Sequence, residues 1–188
     1  MDVLIYAVLF LAVAGSVAYW TTRRTRSRQF KPSLYTEALT AIIRGDRAVA
    51  IQKLIETVKH NSEHIDAYIH LGNLYREENP AQAVKIHQSL TVRPNLPKAT
   101  QVLIHQELAR DYHRLEDYPR AKREAEAILR LEKRNLWATR FLLQIAEETR
   151  DWQEAVRLGK LYQRLINASD NRKLAEYECR RGRDLLRQ

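Results

Sequence analysis

The sequence predicts an all-α protein: one membrane-spanning helix, then an α-solenoid of about four helix pairs and one terminal helix. Three observations predict it. Val3 to Trp20 is a run of eighteen residues without a charge, and Arg23, Arg24, Arg26 and Arg28 follow at once. The rest of the chain is poor in helix breakers, with only 5 Gly and 5 Pro in 188 residues, and rich in Leu, Ala, Arg, Glu, Gln and Lys. A turn signature built around an Asp then recurs along the body at intervals that suit a pair of helices.

The first element is the anchor. At ~1.5 Å per residue the apolar run is about 27 Å long, close to the ~30 Å hydrocarbon core of a bilayer. Gly15 and Ser16 are tolerated in membrane helices, and Tyr19 and Trp20 fall where aromatic rings prefer to sit, at the headgroups. The arginines flank one side, whereas the other carries only Asp2 and the amino terminus. The positive-inside rule then places the N-terminus outside and the C-terminal body in the cytoplasm. A cleaved signal peptide is the alternative, because Ala12-Val13-Ala14 resembles a cleavage motif; the acidic start argues against it. A buried core helix is the other alternative, opposed by the unbroken apolar run and its stop-transfer flank. Residues 1–22 are thus read as anchor and 23–32 as a basic juxtamembrane linker.

The body, 33–170, reads as four helix pairs. Gly45-Asp46-Arg47-Ala48-Val49-Ala50, Glu116-Asp117-Tyr118-Pro119-Arg120-Ala121 and Arg150-Asp151-Trp152-Gln153-Glu154-Ala155 each end one helix and restart another. Asn79-Pro80-Ala81-Gln82-Ala83 does so with one residue fewer. Ala50, Ala83, Ala121 and Ala155 are spaced 33, 38 and 34 residues apart, the period of the tetratricopeptide repeat. Leu71-Gly72-Asn73-Leu74-Tyr75 carries that repeat's first-helix pattern in full. Leu108-Ala109-Arg110-Asp111-Tyr112 repeats it, Leu142-Leu143-Gln144-Ile145-Ala146 has drifted, and the first repeat keeps only Ala38 and Ala41. Small residues at 38, 72 and 109, and the four spaced alanines, are expected where helix axes approach within ~8–10 Å. Expected packing residues are therefore Ala38, Ala50, Leu71, Gly72, Tyr75, Ala83, Leu108, Ala109, Tyr112, Ala121 and Ala155.

Helices are expected at 33–44 and 47–60, 64–77 and 80–92, 99–114 and 118–131, and 135–149 and 152–167. The 38-residue spacing puts extra residues into Arg93-Pro94-Asn95-Leu96-Pro97-Lys98, which two prolines make stiff and non-helical. A last helix, 171–188, presents Leu174, Tyr177, Cys179, Gly182, Leu185 and Leu186 on its apolar side. It is either a solubilising cap or the first half of a fifth repeat.

Function is expected to reside in surface. No nucleophile elbow, phosphate loop, HExxH or Gly-rich dinucleotide turn is present, so no catalytic residue, cofactor or metal site is assigned. His60 and His64 have helical metal-ligand spacing, but Asn61-Ser62 puts a turn between them. His87 falls on the packing face as a hydrogen-bonded core histidine. Cys179, the single cysteine, excludes an internal disulfide and is read as a buried small hydrophobe. Net charge is +9, of which the first thirty residues hold +3. The remainder is interleaved with acids and forms no compact basic-aromatic motif, which makes a nucleic-acid partner unlikely. First helices of stacked pairs line a groove for protein partners. The groove positions are Ile69, Asn73 and Arg76, then Gln106, Arg110, His113 and Arg114, then Arg140 and Gln144. Its arginines would either prefer anions or simply keep the surface soluble. They do not reproduce the Lys/Asn carboxylate clamp of chaperone-tail-binding repeats.

Several runs are more specific than the repeat signature. They are Ala67-Tyr68-Ile69-His70-Leu71-Gly72-Asn73-Leu74-Tyr75-Arg76, Ala83-Val84-Lys85-Ile86-His87-Gln88-Ser89-Leu90, Gln106-Glu107-Leu108-Ala109-Arg110-Asp111-Tyr112 and Trp152-Gln153-Glu154-Ala155. Together with the anchor, its arginine flank and Ala175-Glu176-Tyr177-Glu178-Cys179, they resemble the lipopolysaccharide assembly protein B family of Gram-negative bacteria. The resemblance covers nearly the whole chain. It implies a single-pass inner-membrane adaptor whose cytoplasmic repeats coordinate lipopolysaccharide synthesis. It also implies two partners: a membrane-bound AAA protease and the lipid A biosynthetic deacetylase whose proteolysis it promotes. Family members carry further repeats and a rubredoxin-like metal domain with paired cysteines; this sequence has Cys179 alone, so functions that need that domain are not carried over. An assembly factor for another inner-membrane complex is the alternative reading.

Overall fold

A computed structural model of the protein describes residues 33–186. Nine helices make up these residues: α1 (Leu34–Arg44), α2 (Arg47–His60), α3 (Ile65–Arg76), α4 (Pro80–Thr91), α5 (Lys98–Arg114), α6 (Tyr118–Leu131), α7 (Leu136–Glu148), α8 (Trp152–Leu165) and α9 (Asn171–Leu185). The described residues are all helix and turn. Among them no helix is long and apolar enough to cross a membrane. The expected anchor, with Trp20, Arg23, Arg24, Arg26 and Arg28, lies outside the described residues.

Local chemistry sets the helix limits. Asn79, Asp117, Asn135, Asp151 and Asp170 cap the helices that follow them, each side chain accepting a hydrogen bond from the N–H three residues on. Three of the four turns within pairs place one residue in the left-handed region just before the Asp: Gly45, Glu116 and Arg150. The α3–α4 turn has none. The linker between α4 and α5 is held by Asn95 at φ 57 and by Gln101, whose amide donates to the Leu96 carbonyl at 2.8 Å.

Each helix packs on the next, and α3 also touches α5. A continuous apolar core runs from Ile69 on α3 to Tyr177 on α9. A second cluster joins Ala38, Leu54, Ala67 and Leu71. The structure buries Ala38, Ala50, Leu71, Gly72, Ala83, Leu108, Ala109, Tyr112, Ala121 and Ala155, and half-buries Tyr75. At Gly72 even a Cβ would lie 2.3 Å from the His87 Nε2 atom, so α3 and α4 approach too closely there for a side chain. Gly159 plays the same part between α8 and α9, where a Cβ would meet Leu174 at 2.9 Å.

Two expectations are corrected. Cys179 is exposed, not buried, because the inward turn of α9 is occupied by Tyr177 and Leu174. Ile69 is 5 % exposed and belongs to the core, not to the groove.

Candidate functional site

The first helices of successive pairs lie side by side, linked by side chains that cross from one repeat to the next. Tyr35 on α1 packs against His70 on α3. Arg76 on α3 reaches α5 through Nε–Asp111 Oδ1 and Nη2–Glu107 Oε2, both at 2.6 Å. His113 on α5 bonds Glu148 on α7 at 2.7 Å. Glu147 on α7 accepts from the Tyr177 hydroxyl of α9. This row of first helices presents the face on which the groove residues were expected.

Those residues divide into two kinds. Asn73 and Arg76 are turned into the structure: Arg76 donates to the Asn73 amide oxygen at 2.8 Å and is closed in by two carboxylates. Its guanidinium is therefore no anion receptor, which corrects the expectation for that position. Asp111 and Glu107 are themselves buried, and His87 Nδ1 meets the other Asp111 oxygen at 2.5 Å while its Nε2 lies 3.3 Å from the Ile69 carbonyl. This four-residue lock ties α3, α4 and α5 together beside the longest linker of the array. Buried charges persist where each is paired and hydrogen-bonded, as here.

The remaining positions are more accessible. Arg110 is exposed but held by Glu107 at 2.7 Å, with its guanidinium 5.3 Å above the Trp137 ring. Trp137 in turn stacks on Phe141 at 4.8 Å, and Phe141 sits 5.5 Å from the His113 ring. Arg114 is more than half exposed and 3.5 Å from Glu77, a surface pair of small energetic weight. Gln106 is half-buried, and Gln144 donates to Glu148 at 2.8 Å. Arg140 is exposed and makes no ion pair among the described residues. Arg140 and Gln144 wall a cavity of ≈ 590 Å³ among α7, α8 and α9, with Leu143, Lys173 and Leu174. The face is thus a strip of mixed charge that carries the Trp137–Phe141 stack.

Sequence reasoning assigned the core role of His87 but missed its partner Asp111, the enclosed Glu107 and the aromatic step. A charged residue within a first-helix signature, as in Leu-Ala-Arg-Asp-Tyr, was the available sign that a buried acid needs a partner. His60 ends α2, and His64 caps α3 through Nδ1, which accepts from the Ala67 N–H at 3.3 Å. They are separated by the turn expected between them.

No protein-family model matches the chain. Curated proteins do. Lipopolysaccharide assembly protein B of Escherichia coli (strain K12) is 25% identical over 181 residues, covering 92% of this chain and 46% of that protein. Its counterpart from Haemophilus influenzae is 27% identical over 197 residues, covering 95% and 49%. The chain is similar to lipopolysaccharide assembly protein B. It spans about half the length of these relatives. Solved structures agree on the fold. A tetratricopeptide repeat protein from Parabacteroides merdae superposes with a TM-score of 0.68 at 15% identity, over 80% of this chain and 59% of that one. Pseudomonas aeruginosa pilF gives 0.65 at 14% identity, over 93% and 82%. The stacked pairs are a tetratricopeptide-repeat α-solenoid.

Proposed function

We propose that the protein is a non-enzymatic adaptor, tethered by its N-terminal segment to the cytoplasmic face of a bacterial inner membrane, that binds proteins in lipopolysaccharide assembly. The observation that carries this reading is the similarity to lipopolysaccharide assembly protein B along 92% of the chain. The first-helix strip supplies the means: a row of accessible polar groups with an aromatic step on a rigid scaffold. The uncharged run and its arginine flank supply the tether, and tethering raises the effective concentration of membrane neighbours without any new contact. By the family resemblance the partners are a membrane-bound AAA protease and a lipid A biosynthetic enzyme, brought together for regulated proteolysis.

Crosslinking followed by purification from solubilised membranes tests this reading. Wild-type chain should recover an envelope enzyme or a protease. Arg114→Glu combined with Arg140→Glu should lose most of it at unchanged melting temperature, because neither arginine holds the fold. Arg110 is left alone, since Glu107 and Trp137 depend on it. Equal recovery by both chains, or recovery of neither kind of protein, would refute the assignment.

A further inference from the structure

Repeats three and four differ at one position whose consequence is visible in three dimensions. In repeat three, Tyr112 is 2 % exposed. Its hydroxyl accepts from the Gln88 amide at 2.8 Å, and the Arg120 guanidinium lies 4.9 Å from its ring centroid. Val84 belongs to the same core cluster. In repeat four the corresponding residue, 34 positions on, is Ala146. The register of the spaced turn alanines carries Val84 to Lys122 and Arg120 to Glu154. Both of these line an open cavity of ≈ 390 Å³ together with Ala146, Leu142, Ile145 and Tyr118. The cavity lies where one repeat earlier a tyrosine ring is packed.

We propose that this slot receives an aromatic side chain, a tyrosine best of all, from a bound polypeptide. The inference rests on the adaptor reading and names the side chain that reading requires. The floor fits a ring: Leu142, Ile145 and Ala146 are each 4 % exposed, so the slot is apolar and rigid before anything enters. Its mouth fits a phenol. Glu154 offers a carboxylate, ion-paired with Arg157 and able to accept from a hydroxyl, and Lys122 offers a cation to the ring face. Within this chain Tyr112 meets the same combination of apolar floor, hydrogen-bonding group and overlying cation. The slot lies at the turn between α7 and α8, and neither Arg114 nor Arg140 lines it, so a plug there leaves both arginines in place.

The probe is p-cresol, the tyrosine side chain itself, titrated into the full chain while the methyl resonances of Leu142, Ile145 and Ala146 are followed. Saturable shifts are expected at these methyls, with 4-methylcyclohexanol weaker by about tenfold because it lacks a π-face for Lys122 and an acidic hydroxyl. Ala146→Tyr should fill the slot from within, abolish the p-cresol response, and reduce partner recovery from membranes. Ala146→Leu, a smaller plug, gives the same readout should the larger one prevent folding. Absence of saturable shifts, an equal response to both probes, or a p-cresol response that survives the plug would overturn the slot. Normal partner recovery by a folded, plugged chain would overturn its use by a partner. Because p-cresol binding needs no partner, failure of the adaptor reading and failure of the slot give different results.

Discussion

His87 is the reason position 72 carries no side chain. The ring is fully buried and fixed by Asp111, so it cannot withdraw from an added methyl group. Gly72→Ala is expected to destabilise the protein by ~1–3 kcal/mol, as overpacking of a close-packed core does. Chemical denaturation checks this, and an unchanged midpoint would mean that the two helices can separate. Small residues at 38, 72 and 109 were legible in the sequence because close approach of two helix backbones tolerates little else. The fate of Arg76 was not. Its partners lie 31 and 35 residues away, and only the superposition of repeat three on repeat two brings them to it. Cys179 misled for a related reason: α9 turns Leu174 and Tyr177 onto the preceding pair, and that choice of inward face, which leaves Cys179 exposed, is set by the stacked helices and not by the sequence of α9.

Helices were the most legible level. Capping residues and the spaced alanines mark them locally, and expected and observed limits of α1–α8 differ by at most two residues. How the helices are joined was less legible. The lock of Arg76, Glu107, Asp111 and His87 binds three helices through charge, and a buried ion cluster costs far more to break than it contributes when intact. Arg76→Met should cost about 3–5 kcal/mol, since two enclosed carboxylates lose their cation; a melting curve within error of wild type would show that water reaches them. At the other end, α9 is tied to α7 by the Tyr177 hydroxyl. Burial, reinforced by its bond to Glu147, raises the Tyr177 phenol above its ordinary value. A group whose folded pKa is raised contributes fully below its unfolded pKa, and its contribution is lost as pH climbs past it. Stability should therefore fall above pH ~10, and Tyr177→Phe should flatten part of that decline while costing ~1 kcal/mol near neutrality. Urea midpoints taken across that range decide it: parallel declines in the two proteins would remove Tyr177 as a cause.

At the scale of the whole molecule, solenoid stability is a sum over neighbouring repeats, and function depends on which of the two broad faces is free. The strip of first helices carries Gln106, Arg114, Arg140 and Gln144, whereas the second helices expose positions such as Lys85 and Arg123. The array was legible in the sequence; that most of the strip's charges are already matched was not, because matching is a property of stacked repeats. In the proposed adaptor, first helices meet partner proteins at the membrane. Site-specific photocrosslinking in intact membranes tests this most directly, with the reactive group placed at Gln106, Gln144, Lys85 or Arg123 in turn. Adducts with an envelope protein are expected from Gln106 and Gln144 and none from Lys85, with Arg123, next to Lys122 of the tyrosine slot, giving at most a minor one. Equal adducts from both sets, or adducts from the second helices alone, would contradict it.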